Sequence, residues 1–494
     1  MLFRSRGGRR REYPIACELN EEWDDWYDSD EDEFVYTDPS GVTDIVTSAL
    51  RLVHTCLDEA RYLWGSVLGR YLARVNIEVE SDYSDDDSYH LSTLYTIGLI
   101  NGSIEDFVGE VATHILWSME GEGRAAAIWR LFQDTRCHTV TVNDMISKGP
   151  ADPPDFDGFI AAWISLLGTQ QGYYTEGLLE DAVSYLGDAE EVFEAASGMA
   201  QAHPELFEVA LAMRKDDYEW VRRKGLEAMD LIPTNRKVRS SIALTVADAA
   251  VKLCEVDVVE SCWFEALRSD ASAASFLRLK MGVRDWESMA DEVRFVYEGL
   301  RLGPDDAGSI RFFDGSFEEV LETYMNVKGY LGWSSTFMKT GIALYLLLLY
   351  QGSMVSLPRG LSQMVDYALR GTRFTAKGYL AGTGREAVSD DRLVFLEVFG
   401  AWKSGVSVSE YEARRWLATI ENKLKRRVDA IMKATHRAYY YECAAFVAAL
   451  GEVRESYGAP GEKVRVLLDM RSRYPRHRNF IQDLRSFGMP DRRR

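Results

Sequence analysis

The chain has 494 residues, 46% hydrophobic and 12% aromatic, which is ample for a folded core and excludes a disordered chain. A formal net charge of −21 argues against a general nucleic-acid binder and against docking on anionic membrane surfaces. The longest apolar stretch, Ile342–Tyr350, is far short of the roughly 20 residues that span a bilayer, so it reads as a buried core helix. Six cysteines, at positions 17, 56, 137, 254, 262 and 443, show no Cys-x-Cys or Cys-x-x-Cys spacing. They fall mostly inside apolar helical patterns, as expected of a reduced, cytoplasmic protein. The opening MLFRSRGGRRR has no apolar run behind it and does not read as a secretory signal.

Residues 1–40 form a charged arm of opposite halves. Arg4, Arg6, Arg9, Arg10 and Arg11 come first, then EEWDDWYDSDEDEF from Glu21 to Phe34. Carboxylates interleaved with Trp23, Trp26 and Tyr27 suit a segment whose rings dock while its charges stay solvated. Two occupancies are open: the arm folds back on its own body, or it grips a basic partner. Asp28, Asp30 and Asp32 do not make a calcium loop, because Glu33 stands where the loop needs Gly and Pro39 where it needs Glu.

An N-terminal helical domain is expected over 41–232. A long apolar periodicity runs from Gly41 to Val79, and the acidic stretch Glu80–Ser88 reads as a loop. Helices follow over Ile104–Trp117, Arg124–Phe132, Phe156–Leu167, Leu178–Leu186, Glu190–Ala200 and Leu206–Met213. Cys137–Val142 is the best strand candidate, with a loop as its alternative. Pro233-Thr234-Asn235 then marks the start of a tetratricopeptide-like region over 233–400. There Ile242, Val246, Ala249, Ala250 and Leu253 line one helix, and Val259, Cys262, Trp263, Ala266 and Leu267 line the next. The pair spans about 30 residues, close to the 34 of a tetratricopeptide unit, and a degenerate second unit follows through Trp286 and Val293. The glycine-rich stretch Gly371–Ser389 lacks the Gly-Lys-Ser/Thr ending of a phosphate loop and reads as a flexible connector.

A basic C-terminal helical domain is expected over 401–494. Tyr411–Arg494 carries 19 Lys and Arg against 10 Asp and Glu. Ser409–Lys433 reads as a charged helix whose KLKRR run, Lys423–Arg427, faces solvent or an acidic surface. The next helix has small residues at Ala444, Ala445, Ala448 and Ala449, whose spacing lets a neighbouring helix approach closely. Gly458-Ala459-Pro460-Gly461 stops it. Two more helices follow, separated by Arg471, Arg473, Arg476, His477 and Arg478. That run is either a solvated turn with intramolecular pairing or a patch that grips phosphates or carboxylates through Arg forks.

The segments YYYECAAFVAALGEVRES and RSRYPRHRNFIQDL resemble the helical C-terminal region of SWIM-type zinc-finger proteins. Phe264–Asp270 through Leu277–Lys280 is similar to an internal part of the same family, so the resemblance covers most of the chain from about Asp44 onward. It implies an all-helical, repeat-built body in a setting of DNA transactions. The Cys-x-Cys and Cys-x-His pairs that would build the zinc finger are absent.

No HExxH, GxSxG or other catalytic constellation is present, and no catalytic residue, metal ligand or cofactor is nominated. The sequence therefore predicts an all-α protein of stacked helical hairpins, a tetratricopeptide-like α-solenoid with an irregular acidic N-terminal arm. Its expected role is a non-catalytic scaffold or adaptor for a protein partner, with Trp23, Trp26, Tyr27, Arg471, Arg473, Arg476 and Arg478 as candidate contacts. The alternative is a nucleic-acid-binding accessory subunit that uses the basic C-terminal surface.

Overall fold

The structure is a computed structural model that describes residues 41–491 apart from 82–83, 122, 151–152, 327–328, 334–335 and 387. The arm of residues 1–40, with Trp23, Trp26 and Tyr27, lies outside the described residues. Among the described residues are 25 α-helices and one two-stranded hairpin, so the fold is all-α. No helix among them is long and apolar enough to cross a membrane. Two compact units divide between Met213 and Arg214.

The first unit begins with α1 (Val42–Asp58) and α2 (Tyr62–Leu72), then the hairpin β1 (Asn76–Ser81) and β2 (Ser84–His90). It continues through α3 (Leu91–Thr96), α4 (Ile104–Ser118), α5 (Gly123–Thr135) and α6 (Val142–Ser147). It ends with α7 (Phe156–Leu167), α8 (Tyr173–Val183), α9 (Ala189–Gly198) and α10 (Leu206–Met213). The single periodicity expected from Gly41 to Val79 is thus interrupted twice. Ala60 takes the left-handed conformation, φ 56°, which ends α1 and turns the chain into α2. Beyond Leu72 the spacing changes to period two, and Asn76 and Ile77 pair antiparallel with His90 and Tyr89. Of the acidic stretch read as a loop, Glu80 and Ser81 end the first strand and Ser84–Ser88 belong to the second. Cys137–Thr141 is irregular and leads into α6, where Thr141 and Asp144 form a reciprocal capping box.

The core of the first unit is built on α4, whose residues Phe107–Val108 and Val111–Leu116 are buried. Ser103 caps its N-terminus by accepting from Glu105 N and Asp106 N. Helix α2 meets α4 through small residues. A Cβ on Gly65 would lie 2.2 Å from the His114 ring, and one on Gly69 would lie 2.4 Å from Val111. The approach is close enough that His114 Nε2 donates to the Val53 carbonyl of α1 at 3.0 Å, so one imidazole ties three helices. Burial lowers the His114 pKa, against the opposing effect of that hydrogen bond and of Glu110.

The second unit opens with α11 (Tyr218–Leu231), α12 (Val238–Leu253), α13 (Val256–Ser269), α14 (Ala273–Gly282) and α15 (Trp286–Gly299). Pro233-Thr234-Asn235 turns the chain between α11 and α12, which pack on each other. Arg239 fastens that turn. Its guanidinium donates to the Ile232 carbonyl at 2.7 Å and to Glu265 of α13 at 2.7 Å. The apolar faces expected on α12 and α13 are the buried ones, with Ile242, Val246, Val259, Cys262 and Leu267 inside.

Then come α16 (Pro304–Asp314), α17 (Phe317–Glu319) with a π-turn over Val320–Tyr324, α18 (Met338–Leu349), α19 (Arg359–Thr372), α20 (Ala376–Leu380) and α21 (Asp391–Ser404). Helix α18 carries most of the IALYLLLLY run, and every residue from Thr340 to Leu349 is buried. The glycine-rich stretch before α21 is not a loose connector. The Asp248 carboxylate accepts from Gly382 N at 3.0 Å and Gly384 N at 2.9 Å, and Trp263 Nε1 donates to the Gly382 carbonyl at 2.7 Å. The glycines allow this because φ is +74° at Gly382 and +68° at Gly384.

The unit closes with α22 (Glu410–Ala434), α23 (Tyr440–Ser456), α24 (Glu462–Arg473) and α25 (Arg478–Ser486). Helix α23 is buried on all sides from Glu442 to Val453 and packs against α18, α19, α22, α24 and α25. A helix apolar all round belongs in a core, and the alanines are what let so many neighbours reach it.

Two outcomes follow for the first unit. G65A forces a methyl into the His114 ring and should destabilise the protein by about 1–3 kcal/mol, read as a lower Tm. Because the folded His114 pKa lies below its unfolded value, the unfolded chain binds the extra proton, and stability should fall as pH drops below about 6.5. H114Q should flatten part of that acid limb when Tm is followed from pH 7.5 to 5.5.

A groove and a buried charge network in the C-terminal helices

Helix α22 starts with a capping box, Ser409 and Glu412 bonding each other's backbone, and runs 25 residues with charge on most of its surface. Helical spacing puts Ile420, Leu424, Arg427, Val428 and Ile431 on its inner face, and all five are buried. The KLKRR run therefore does not present one cationic face outward. Lys423 donates to the Met325 carbonyl at 2.7 Å, and Lys425 pairs with Glu421 at 2.9 Å. Arg427 is fully buried, and it donates to the carbonyls of Tyr330 and Leu331, each at 2.6 Å.

The partner of Arg427 is Glu442, two residues inside α23. Glu442 Oε1 accepts from Arg427 at 3.0 Å and from Trp333 Nε1 at 2.8 Å, while Oε2 meets Lys339 at 2.8 Å. The guanidinium is also sandwiched by rings, 4.9 Å from Trp333 and 5.0 Å from Tyr439. Burial pushes the Glu442 carboxyl up. The hydrogen bonds from Lys339 and Trp333 and the charges of Lys339 and Arg427 outweigh it, and the group titrates below the ordinary carboxylate range.

Three turns further along α23, the buried Glu452 does a second job. Its oxygens accept from Gly360 N at 3.0 Å and Leu361 N at 2.8 Å, and Lys463 pairs with it at 2.7 Å. One carboxylate thus caps the first turn of α19 and holds the start of α24. Neither glutamate was singled out in the sequence, where 78 Asp and Glu make carboxylates uninformative. The available signal was local: both interrupt an otherwise unbroken apolar run, and a charge in such a place must be paired.

Outside this core, α22, α23 and α24 enclose a groove of about 510 Å³. Leu424, Val447, Leu450, Val466 and Met470 form an apolar floor. Lys425, Arg454, Arg465 and Arg473 line the rim together with Glu421 and Asp469. Each rim cation already has a carboxylate. Glu421 takes Lys425 and Arg454, Glu462 takes Arg465 at 2.7 Å, and Asp469 takes Arg473 at 3.1 Å.

Of the four candidate arginines in the Arg471–Arg478 run, the groove includes only Arg473. Arg471 is half-buried near the end of α24, and Arg476 and Arg478 are exposed with no ion pair among the described residues. The turn that carries them is anchored by rings. Tyr474 donates to Asp429 of α22, the Tyr440 hydroxyl and His477 Nδ1 lie 2.9 Å apart, and Phe480 packs on Tyr440 and Tyr474. Trp416 and Tyr440 are core residues, whereas Tyr439 and Tyr441 are more than a third exposed. No group of three or more His, Cys, Asp or Glu among the described residues has the geometry to hold a metal ion.

Comparison with protein-family models, with curated proteins and with solved structures finds no match to this chain.

R427A leaves Glu442 short of its guanidinium and two carbonyls without donors, and should cost about 3–5 kcal/mol in urea denaturation. The double variant R427M/E442L should recover part of that loss but not all, because the Tyr330 and Leu331 carbonyls stay unpaired. Full additivity of the two single changes would contradict the coupling.

Proposed function

We propose that this chain is a non-catalytic helical scaffold that holds a protein partner in the groove between α22, α23 and α24. On this reading its helical hairpins stack in the manner of tetratricopeptide units, and neighbouring faces provide the docking surface. The observation that carries the proposal is the chemistry of the groove: a buried apolar floor beneath a rim whose cations are already paired. Such a rim offers a nucleic-acid phosphate little, since each contact must first break an intramolecular ion pair. It suits an amphipathic helix that lays apolar anchors on the floor and sets polar side chains of either sign beside the paired charges of the rim. The resemblance to the helical body of SWIM-type zinc-finger proteins supplies the setting, a nucleic-acid-processing or defence complex in which this chain is the holder.

The rival role, a nucleic-acid-binding accessory subunit, is favoured by one observation: Arg476 and Arg478 stand exposed with no ion pair among the described residues. The two readings separate cleanly. Tagged protein purified gently from its native cells should bring down a stoichiometric protein and an absorbance ratio free of nucleic acid. Reversing two exposed rim charges, R465E/R473E, should weaken that association roughly tenfold while leaving Tm nearly unchanged. A chain recovered alone would sink the scaffold reading. A salt-sensitive gel shift that disappears in R471A/R473A/R476A/R478A would install the nucleic-acid role in its stead.

A further inference from the structure

Helix α2 is built inside out. Its inner face is Gly65, Ser66, Gly69 and Leu72, all buried. The space where the glycine side chains would stand is filled by His114 and Val111. The large apolar residues are therefore left on the other side: Leu63 is 62% exposed, Trp64 66%, Val67 49% and Tyr71 49%. On a helical projection these four fall within one arc of about 100°, opposite the glycines. Isolated exposed leucines are ordinary, but a ridge of two aromatics and two aliphatics on an 11-residue helix marks a docking surface. Helix α1 adds Ile45 and Leu52, seven residues apart and each more than half exposed.

The charges beside the ridge say what fits it. From Ala60 to Asn76 the sequence has Arg61, Arg70 and Arg74 and no acidic residue, in a chain whose formal charge is −21. Arg61 pairs with the exposed Glu59 at 3.2 Å and Arg74 with Asp134 at 2.6 Å, and Arg70 has no ion pair among the described residues. The complementary chemistry lies close by in the same chain. Glu21–Phe34 has nine Asp and Glu, no Lys or Arg, and four aromatics, of which Trp23, Trp26 and Tyr27 have i, i+3, i+4 spacing. The tether is long enough. The 15 residues from Trp26 to Gly41 can span up to about 50 Å, whereas α2 is roughly 16 Å long. A short tether also sets an effective concentration on the order of millimolar, which favours this segment over a second copy at micromolar protein.

We propose that the α2 ridge is the docking surface of the acidic-aromatic segment Glu21–Phe34 of the same chain. Its rings cover Leu63, Trp64, Val67 and Tyr71, and its carboxylates face Arg61 and Arg70. This surface is separate from the C-terminal groove, and its test does not depend on that groove's role.

The test uses the full-length chain with a reporter thiol, V67C, on the ridge. Labelling at that position, resolved by peptide mass spectrometry, should be at least tenfold slower with the native arm than in the W23A/W26A/Y27A background. Raising the salt to 0.5 M should narrow the gap. A synthetic peptide of residues 21–34 added to the arm variant should restore slow labelling, but not when R61E/R70E is also present. Equal rates in the two backgrounds would overturn the proposal. So would protection that grows with protein concentration together with a dimer in sedimentation, because the occupant would then be a second copy.

Discussion

The C-terminal unit depends on one charged hydrogen-bond cluster, the Glu442 carboxylate shared by Arg427, Lys339 and Trp333. Desolvating a carboxylate is expensive, and only a full set of donors makes it tolerable. Meeting that requirement fixes much else. It brings α22 against α23 at Arg427, seats the backbone around Tyr330 through two carbonyls, and places the Trp333 ring between a guanidinium and Phe446. Glu452 repeats the device at the other end of α23, where a single side chain orients the start of two further helices. Polar groups inside a helix core specify one arrangement, because alternatives that leave them unpaired are excluded.

Formal charge and surface potential also part company here. The surplus of Lys and Arg after Tyr411 suggests a basic face, yet Arg427 is interior and Lys423 is occupied by a backbone carbonyl. Lys425, Arg454, Arg465 and Arg473 answer carboxylates on the same or the adjoining helix. In this stretch the exposed cations without an ion pair among the described residues are Arg426, Lys433 and Arg437 around the end of α22, and Arg476 and Arg478 around the start of α25. An acidic chain with a basic end is, in this unit, largely a chain that neutralises itself.

The helical class was legible because long apolar periodicities at 3.6 residues survive any detail of packing. Helices such as α7, α10 and α13 lie where their apolar stripes put them. The misreadings share a physical cause. Ala60 ends α1 with a left-handed residue that is not a glycine, so nothing in the pattern announced the break. The β1–β2 hairpin is polar along its second strand, and strand propensity there yields to pairing with β1. The candidate site was less legible still. Arg473 belongs to the groove while Arg471, Arg476 and Arg478 do not, since residues two apart on a helix face different sides and a turn redirects those beyond it. Glu442 and Glu452 announce that they must be paired by interrupting an apolar run, but their partners lie 11 to 109 residues away, and nothing local names those partners.

The glycines beside α23 carry one more implication. Gly360 of α19 comes so near that a Cβ would stand 2.6 Å from the Ala449 backbone, and Gly451 would meet the Lys463 backbone at 2.5 Å. Helix α23 is therefore in main-chain contact with two neighbours at once, with no flexible side chains between them to absorb a shift. Val447 and Leu450, which floor the groove, sit on that clamped segment. On the proposed scaffold role, a guest in the groove would meet a floor held in place on that side, so little ordering entropy would be lost there and little room would be left for the wrong contour. Tolerance would have to come from α22, which has no such glycine contact with α23 among the described residues.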